Sequence, residues 1–251
     1  MRPAALAPQR RHTYYFLREI RQFSPVFLDT DIDMTAVQRH RREARERSLR
    51  YSTVSYVLHT ASRVLALHPD ANAAISGRVR PRLAYHDRVH AKLALDRDLG
   101  GRRVVLAAVL PDLHLADLDG VQRQVSHYRD GDAADMPEFA GVRALHRLPA
   151  LLGAFAFRRT VRPLRNRAER VGTFAVTSLG HRPVQSFHSV GGTTITLGLG
   201  QVSDRPVVRD GVLAVAPLMR LSLSFDHRVI DGAEAADVLT EIKDGLEAYG
   251  E

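Results

Sequence analysis

Two periods of apolar and polar residues run through this chain, three to four residues in some stretches and two in others, and the changes of period mark its elements. Residues 13–22 carry a short amphipathic helical pattern. Pro25 then starts an extended segment, and positions 26–33 alternate as a strand does. Thr35 is placed to cap a following helix, and Ser52 or Thr53 to cap another running to about residue 67, with Val54, Val57, Leu58, Ala61, Val64 and Leu65 on one face. Strand-like runs follow at 83–85, 89–95 and 104–110. Gly100-Gly101, between the last two, predicts a hairpin. Residues 115–128 have helical spacing and 129–137 read as a loop, after which 139–170 are expected to be helical and partly exposed. Strands are expected at 173–177, 193–199, 212–215 and 219–225, and a final amphipathic helix at 233–249. Helices and strands interleave without strict βαβ alternation, which predicts an α/β fold with a mixed β-sheet covered by helices.

Composition narrows this picture. At 251 residues, one large domain with a sizeable core is the default. The net charge of +8 rests almost entirely on arginine, Lys92 and Lys243 being the only lysines; a GC-rich genome explains that bias, so no nucleic-acid partner is expected. The densest basic run, 39–47, is interleaved with glutamate and reads as a solvated helix face. A second cluster, from Arg158 to Arg170, follows the apolar run 148–157 and is placed to meet phosphates or a membrane surface.

With no cysteine, disulfides, thiolate metal sites and a cysteine acyl-enzyme are excluded. His86 and His90 lie in a strand-like segment where an i,i+4 spacing does not bring two rings to one ion, so no metal is expected. Residues 1–12 lack an apolar leader core, and no run reaches the roughly 18 apolar residues that span a bilayer. No transmembrane segment and a cytoplasmic location are therefore expected. Gly198-Leu199-Gly200 has no third glycine and reads as a strand packed closely against another element.

The chemistry is concentrated at 221–233, where Leu221-Ser222-Leu223-Ser224-Phe225 alternates as a strand and ends abruptly in Asp226-His227-Arg228-Val229-Ile230-Asp231-Gly232. An imidazole is suited to take a proton from a thiol or hydroxyl near neutral pH. Asp231 is placed to cap the last helix, to accept from an arginine, or to hold the loop around His227.

That run resembles the Asp-His-Arg-x-x-Asp-Gly fingerprint of the dihydrolipoyl acyltransferase catalytic domain of 2-oxoacid dehydrogenase complexes, whose fold is shared with chloramphenicol acetyltransferase. Four further stretches are similar to that family, in its order: Val26 through Thr35, His68-Pro69-Asp70-Ala71-Asn72-Ala73, residues 104–118, and Gly172-Thr173-Phe174-Ala175-Val176-Thr177-Ser178-Leu179-Gly180.

The resemblance implies a chloramphenicol-acetyltransferase-like fold and acyl transfer from acetyl-CoA or another acyl-CoA as co-substrate. It casts His227 as general base, Thr177 or Ser178 as the hydroxyl on the oxyanion, and Asp231 as support. It also implies a homotrimer with its active-site channel between subunits. Residues 1–251 are expected to form a single catalytic domain, with 129–171 an insertion, without a lipoyl or subunit-binding domain or a covalently attached lipoyl group, and with a shortened C-terminal tail. Such a stand-alone form resembles the O-acetyltransferases of tetronate biosynthesis. This implies transfer to a hydroxyl of a small-molecule acceptor, with residues 148–157 on the acceptor side of the pocket. Transfer to the dihydrolipoyl thiol of a lipoyl protein supplied in trans, and a non-catalytic trimeric scaffold, are the alternatives.

Overall fold

Seven strands form one mixed sheet in the computed structural model, which describes residues 4–77 and 79–250. The readings for residues 1–12 and for the C-terminal end fall partly outside the described residues. In chain order the elements are α1 (Arg11–Glu19), β1 (Pro25–Asp33), α2 (Thr35–Glu46), α3 (Thr53–Leu67), β2 (Ala73–Ser76), β3 (Arg82–Tyr85), β4 (Ala91–Asp98), β5 (Arg103–Leu110) and α4 (Leu118–Asp130), then α5 (Ala140–Arg147), α6 (Ala150–Val161), α7 (Arg167–Val171), β6 (Phe174–Ser178), β7 (Ile195–Leu199), β8 (Ser203–Arg209), β9 (Val212–Asp226) and α8 (Gly232–Glu247).

The sheet order is β1-β9-β7-β6-β4-β5, with β8 paired to the first part of β9. β4, β6 and β7 run parallel to one another and the other pairings are antiparallel, so the mixed sheet expected from the sequence is present. Its core face is built by alternation: Leu221, Leu223 and Phe225 of β9 lie with Leu197, Val176 and Leu93 in one buried cluster with Val57, Leu58, Ala61 and Leu65 of α3 and Val238, Ile242 and Leu246 of α8.

Ser222 and Ser224 point to the other face. There the segment 180–192 crosses the sheet, and the Ser186 and Ser222 hydroxyls are 3.0 Å apart. The crossing is close enough to require glycine: a Cβ on Gly198 would meet the Phe187 carbonyl oxygen at 2.5 Å, and one on Gly200 the Gln185 oxygen at 1.9 Å. This is the close packing the Gly-x-Gly pattern implied.

Four local readings need correction. Thr35 does not cap α2 but opens it; the Asp33 carboxylate accepts from the Thr35 N–H at 3.0 Å and from its hydroxyl at 2.5 Å, being the stronger acceptor two residues upstream. Residues 212–226 form one strand rather than two. Pro217 does not break it, because β9 changes partner from β8 to β1 and β7 just beyond that position, where a missing N–H is tolerated. β2 and β8 are strands the periodicity did not predict: the first has four residues, and the second is largely exposed along its length. Elsewhere the helix starts hold, with Ser52 accepting from the Ser55 N–H at 3.1 Å.

Segment 129–171 forms a helical layer with α1. The Arg11 guanidinium donates to the carbonyl oxygens of His146 and Leu148 at 3.2 and 2.8 Å, Tyr15 donates to Ala150 O at 2.9 Å, and Glu19 pairs with Arg158 at 3.3 Å and Arg162 at 2.6 Å. Two arginines of the second basic cluster are thus spent on an internal carboxylate. Among the described residues no helix is long and apolar enough to cross a membrane, and none of their His, Asp and Glu side chains group as a metal site would require.

Candidate functional site

His227 stands immediately after β9, where the sheet ends. Its N–H donates to Ser24 O at 2.9 Å, tying the turn to the residue before β1. The imidazole is 44% exposed, with its ring centroid 5.4 Å from that of Phe225. Nδ1 lies 3.3 Å from Asp231 Oδ1, across the one turn that connects β9 to α8. An Nδ1–H directed at that carboxylate leaves the Nε2 lone pair free to accept a proton. Because the Asp231 side chain is almost fully exposed, water screens the pair, and the contact orients the ring more than it stabilises charge.

The turn is held from behind. Asp226 is fully buried, and its Oδ1 accepts from Arg228 Nε at 2.9 Å while Oδ2 accepts from Arg228 Nη2 at 2.5 Å. Arg228 also lies over the Phe23 ring, 5.0 Å from its centroid. The flanks of the histidine are thereby locked into one bidentate pair. Of the three roles open to Asp231, the structure supports holding the loop. Asp231 occupies the position before α8 without a side-chain capping bond, and the arginine of the turn goes to Asp226 instead.

Thr177 and Ser178 sit at the C-terminal end of β6. Ser178 Oγ accepts from the Gly180 N–H at 3.4 Å, whereas the Thr177 hydroxyl has no partner among the described residues. Both are partly accessible. Within one chain they are not brought to His227. Through β7, Thr177 stands level with Ser222, so His227 lies five residues further along β9 and two strands across. At ~3.3 Å per residue and ~4.8 Å per strand, that separation is roughly 16 Å along the sheet and roughly 10 Å across it. Within one chain, therefore, the hydroxyls of this turn are out of reach of His227.

A narrow cleft of about 10 Å³ opens beside the turn that carries His227, lined by Phe23, Ala74, Ile75, Arg167, Gly192, Thr193, Thr194 and Asp226. The apolar residues expected on the acceptor side are not part of its lining. Leu151, Leu152 and Phe155 of α6 are exposed at 87%, 58% and 60%. The part of 129–171 that reaches the cleft is Arg167, at the start of α7. Neither Arg167 nor the Asp226–Arg228 pair is among the candidates the sequence pattern singles out. The i,i+2 opposite charges of the fingerprint were a visible signal for the pair; nothing in the spacing singled out Arg167.

Residues 162–251 match the family described as 2-oxoacid dehydrogenases acyltransferase (catalytic domain). The dihydrolipoyllysine-residue acetyltransferase component of the pyruvate dehydrogenase complex of Bacillus subtilis (strain 168) is 53% identical over 47 residues, which is 19% of this chain and 11% of that protein. The matched segment therefore spans about a tenth of that relative's length. Among solved structures, a dihydrolipoamide acetyltransferase from Azotobacter vinelandii superimposes with a TM-score of 0.73 at 20% identity, covering 99% of this chain and 92% of that one. Chloramphenicol acetyltransferase gives 0.54 at 14% identity, with 96% of each chain covered. The resemblance of the fingerprint region to the acyltransferase catalytic domain is borne out over the C-terminal third, and the fold is chloramphenicol-acetyltransferase-like throughout; none of these matches bears on the likeness to tetronate-biosynthesis O-acetyltransferases.

Proposed function

We propose that this chain is an acyl-CoA-dependent acyltransferase in which His227 is the general base. The observation that carries the reading is the fingerprint turn itself: an accessible imidazole at the end of a buried strand, with Nδ1 turned to Asp231 and its flanks locked by Asp226 and Arg228. His227 Nε2 takes the proton of the acceptor's hydroxyl or thiol, and the freed oxygen or sulfur attacks the thioester carbonyl. The tetrahedral oxyanion is stabilised by a hydroxyl from the β6 turn of a neighbouring copy. Thr177 is better placed than Ser178, since its hydroxyl is uncommitted while that of Ser178 is drawn toward Gly180. Collapse expels the CoA thiolate, which recovers the proton from the imidazolium. The step needs no metal and no covalent enzyme intermediate.

Residues 1–251 act as one catalytic domain in this reading, with 129–171 as its insertion, and the channel lies between subunits of a cytoplasmic homotrimer. The separation of His227 from the β6 hydroxyls within one chain supports that assembly. The acceptor favoured is a hydroxyl of a small molecule, and acetyl the group moved. The similarity to dihydrolipoyl acetyltransferases favours a second reading, in which the acceptor is the dihydrolipoyl thiol of a lipoyl domain. Release of free CoA thiol from acetyl-CoA, measured separately with dihydrolipoamide and with a panel of hydroxylated small molecules, separates the two. Turnover restricted to dihydrolipoamide overturns the hydroxyl acceptor.

A further inference from the structure

The interior beside the catalytic turn holds more positive than negative charge. Arg167 is largely buried and has no carboxylate in ion-pair range among the described residues. Its Nη1 donates to Val161 O at 2.9 Å and its Nη2 to Gly192 O at 2.8 Å. Lys92, on β4, likewise has no acidic partner there: its Nζ donates to Gly191 O at 2.9 Å and lies 4.1 Å from the Phe16 ring centroid. Arg228 is the third cation. Asp226, the carboxylate lining the cleft, is already held bidentately by Arg228. Glu19, the other carboxylate that bears on Arg167, is spent on Arg158 and Arg162.

Removing two cations from water with only carbonyl dipoles as partners is unfavourable, and the penalty is relieved by an anion at the same place. Burial and the neighbouring Arg228 both press the Arg167 guanidinium toward its neutral form, and burial and Arg167 do the same to Lys92. The cleft offers further donors. The backbone N–H groups of Gly192, Thr193 and Thr194, three consecutive lining residues, have no acceptor among the described residues. Consecutive free N–H groups beside a guanidinium are suited to a small oxyanion.

We propose that the cleft lined by Arg167, Gly192, Thr193 and Thr194 binds a carboxylate-sized anionic group, and that this group belongs to the acyl acceptor. The inference deepens the acyltransferase reading and depends on it only for calling the ligand an acceptor. Asp226 lines the cleft and directly precedes His227 in the chain, so the cleft opens beside the turn that carries the proposed base. The cleft itself is small, about 10 Å³, so only the charged end of a ligand enters it and the rest stands outside. Arg167 would thus select acidic acceptors over neutral ones of the same shape.

Thermal unfolding provides a readout separate from turnover. The wild type is melted at constant ionic strength with acetate, with acetamide as its neutral isostere, with inorganic phosphate, and with adenosine 3′,5′-bisphosphate as the CoA fragment. Acetate at ten times its dissociation constant is expected to raise Tm by about 3 °C over acetamide. The shift should vanish in Arg167→Gln and persist in His227→Ala, whatever activity His227→Ala retains. Equal melting in acetate and acetamide overturns the site in the wild type alone, so the result stands even if Arg167→Gln does not fold. Stabilisation by phosphate or the bisphosphate but not by acetate assigns the cations to CoA and overturns the acceptor carboxylate. An acetate shift that survives in folded Arg167→Gln overturns the role of Arg167.

Discussion

If the site is assembled from two copies, two inactive variants should repair each other. His227→Ala removes the base from every chain, and the double variant Thr177→Ala/Ser178→Ala removes both candidate oxyanion hydroxyls. Losing one such donor costs ~10²-fold or more in rate, and losing the base costs a comparable factor. In one chain these groups stand roughly 16 Å apart along the sheet and roughly 10 Å across it, too far for joint action. Suppose the variants are unfolded together in equal amounts and refolded as mixed trimers, with each channel taking His227 from one subunit and the β6 hydroxyl from its neighbour. A channel is intact when both of its contributors are, so about a quarter of channels recover. The assay is CoA thiol release by the mixture against each variant refolded alone and against refolded wild type. Activity near a quarter of wild type bears out the shared site. Activity no greater than the average of the separate variants refutes it, and with it the assignment of Thr177 or Ser178.

Three stability predictions follow from the charges around the site. Arg228→Met leaves the buried Asp226 carboxylate without its bidentate partner and should destabilise the fold by about 3 kcal/mol or more in urea unfolding, whereas Arg228→Lys should lose less. Lys92 is pushed down to about 8 by burial and then by Arg167, from an ordinary value of 10.5, so between those two values the unfolded chain binds more protons than the folded one and stability should rise with pH, by about 3 kcal/mol in all; Lys92→Met should flatten that rise, and an equally steep rise in the variant would contradict the assignment. Burial alone would lower the pKa of His68, but the Glu234 and Glu241 carboxylates at 2.9 and 3.1 Å outweigh it and raise it above 6.5. Its stabilisation is therefore fully present below pH 6.5 and lost as pH rises through the raised value, so His68→Gln should cost more stability at pH 5.5 than at pH 8.

Much of this fold was legible because the buried strands alternate cleanly. Leu221-Ser222-Leu223-Ser224-Phe225 shows both faces of β9 in its letters, and Gly198 and Gly200 announce the segment that crosses the sheet. β8 was missed because it is exposed along most of its length, yet Asp210-Gly211 was a usable hairpin signal: both residues have positive φ, as a two-residue turn requires. The fingerprint placed His227 and Asp231 correctly on one turn. It could not show that Asp226 would take the arginine, because the choice between two carboxylates depends on which is buried. Nor could it show that Thr177 lies at the far end of the sheet from His227, a matter of strand direction and register. Arg167 was illegible for a related reason: one arginine in a basic cluster differs from the rest only by where the helical layer of α5–α7 delivers it.

The most direct test of His227 as general base is CoA thiol release from acetyl-CoA by wild type and His227→Ala, with each acceptor that the wild type uses and with folding verified by thermal unfolding. With His227 as the base, the wild type turns over and the folded variant loses ~10²-fold or more. Turnover by His227→Ala at the wild-type rate would contradict that role.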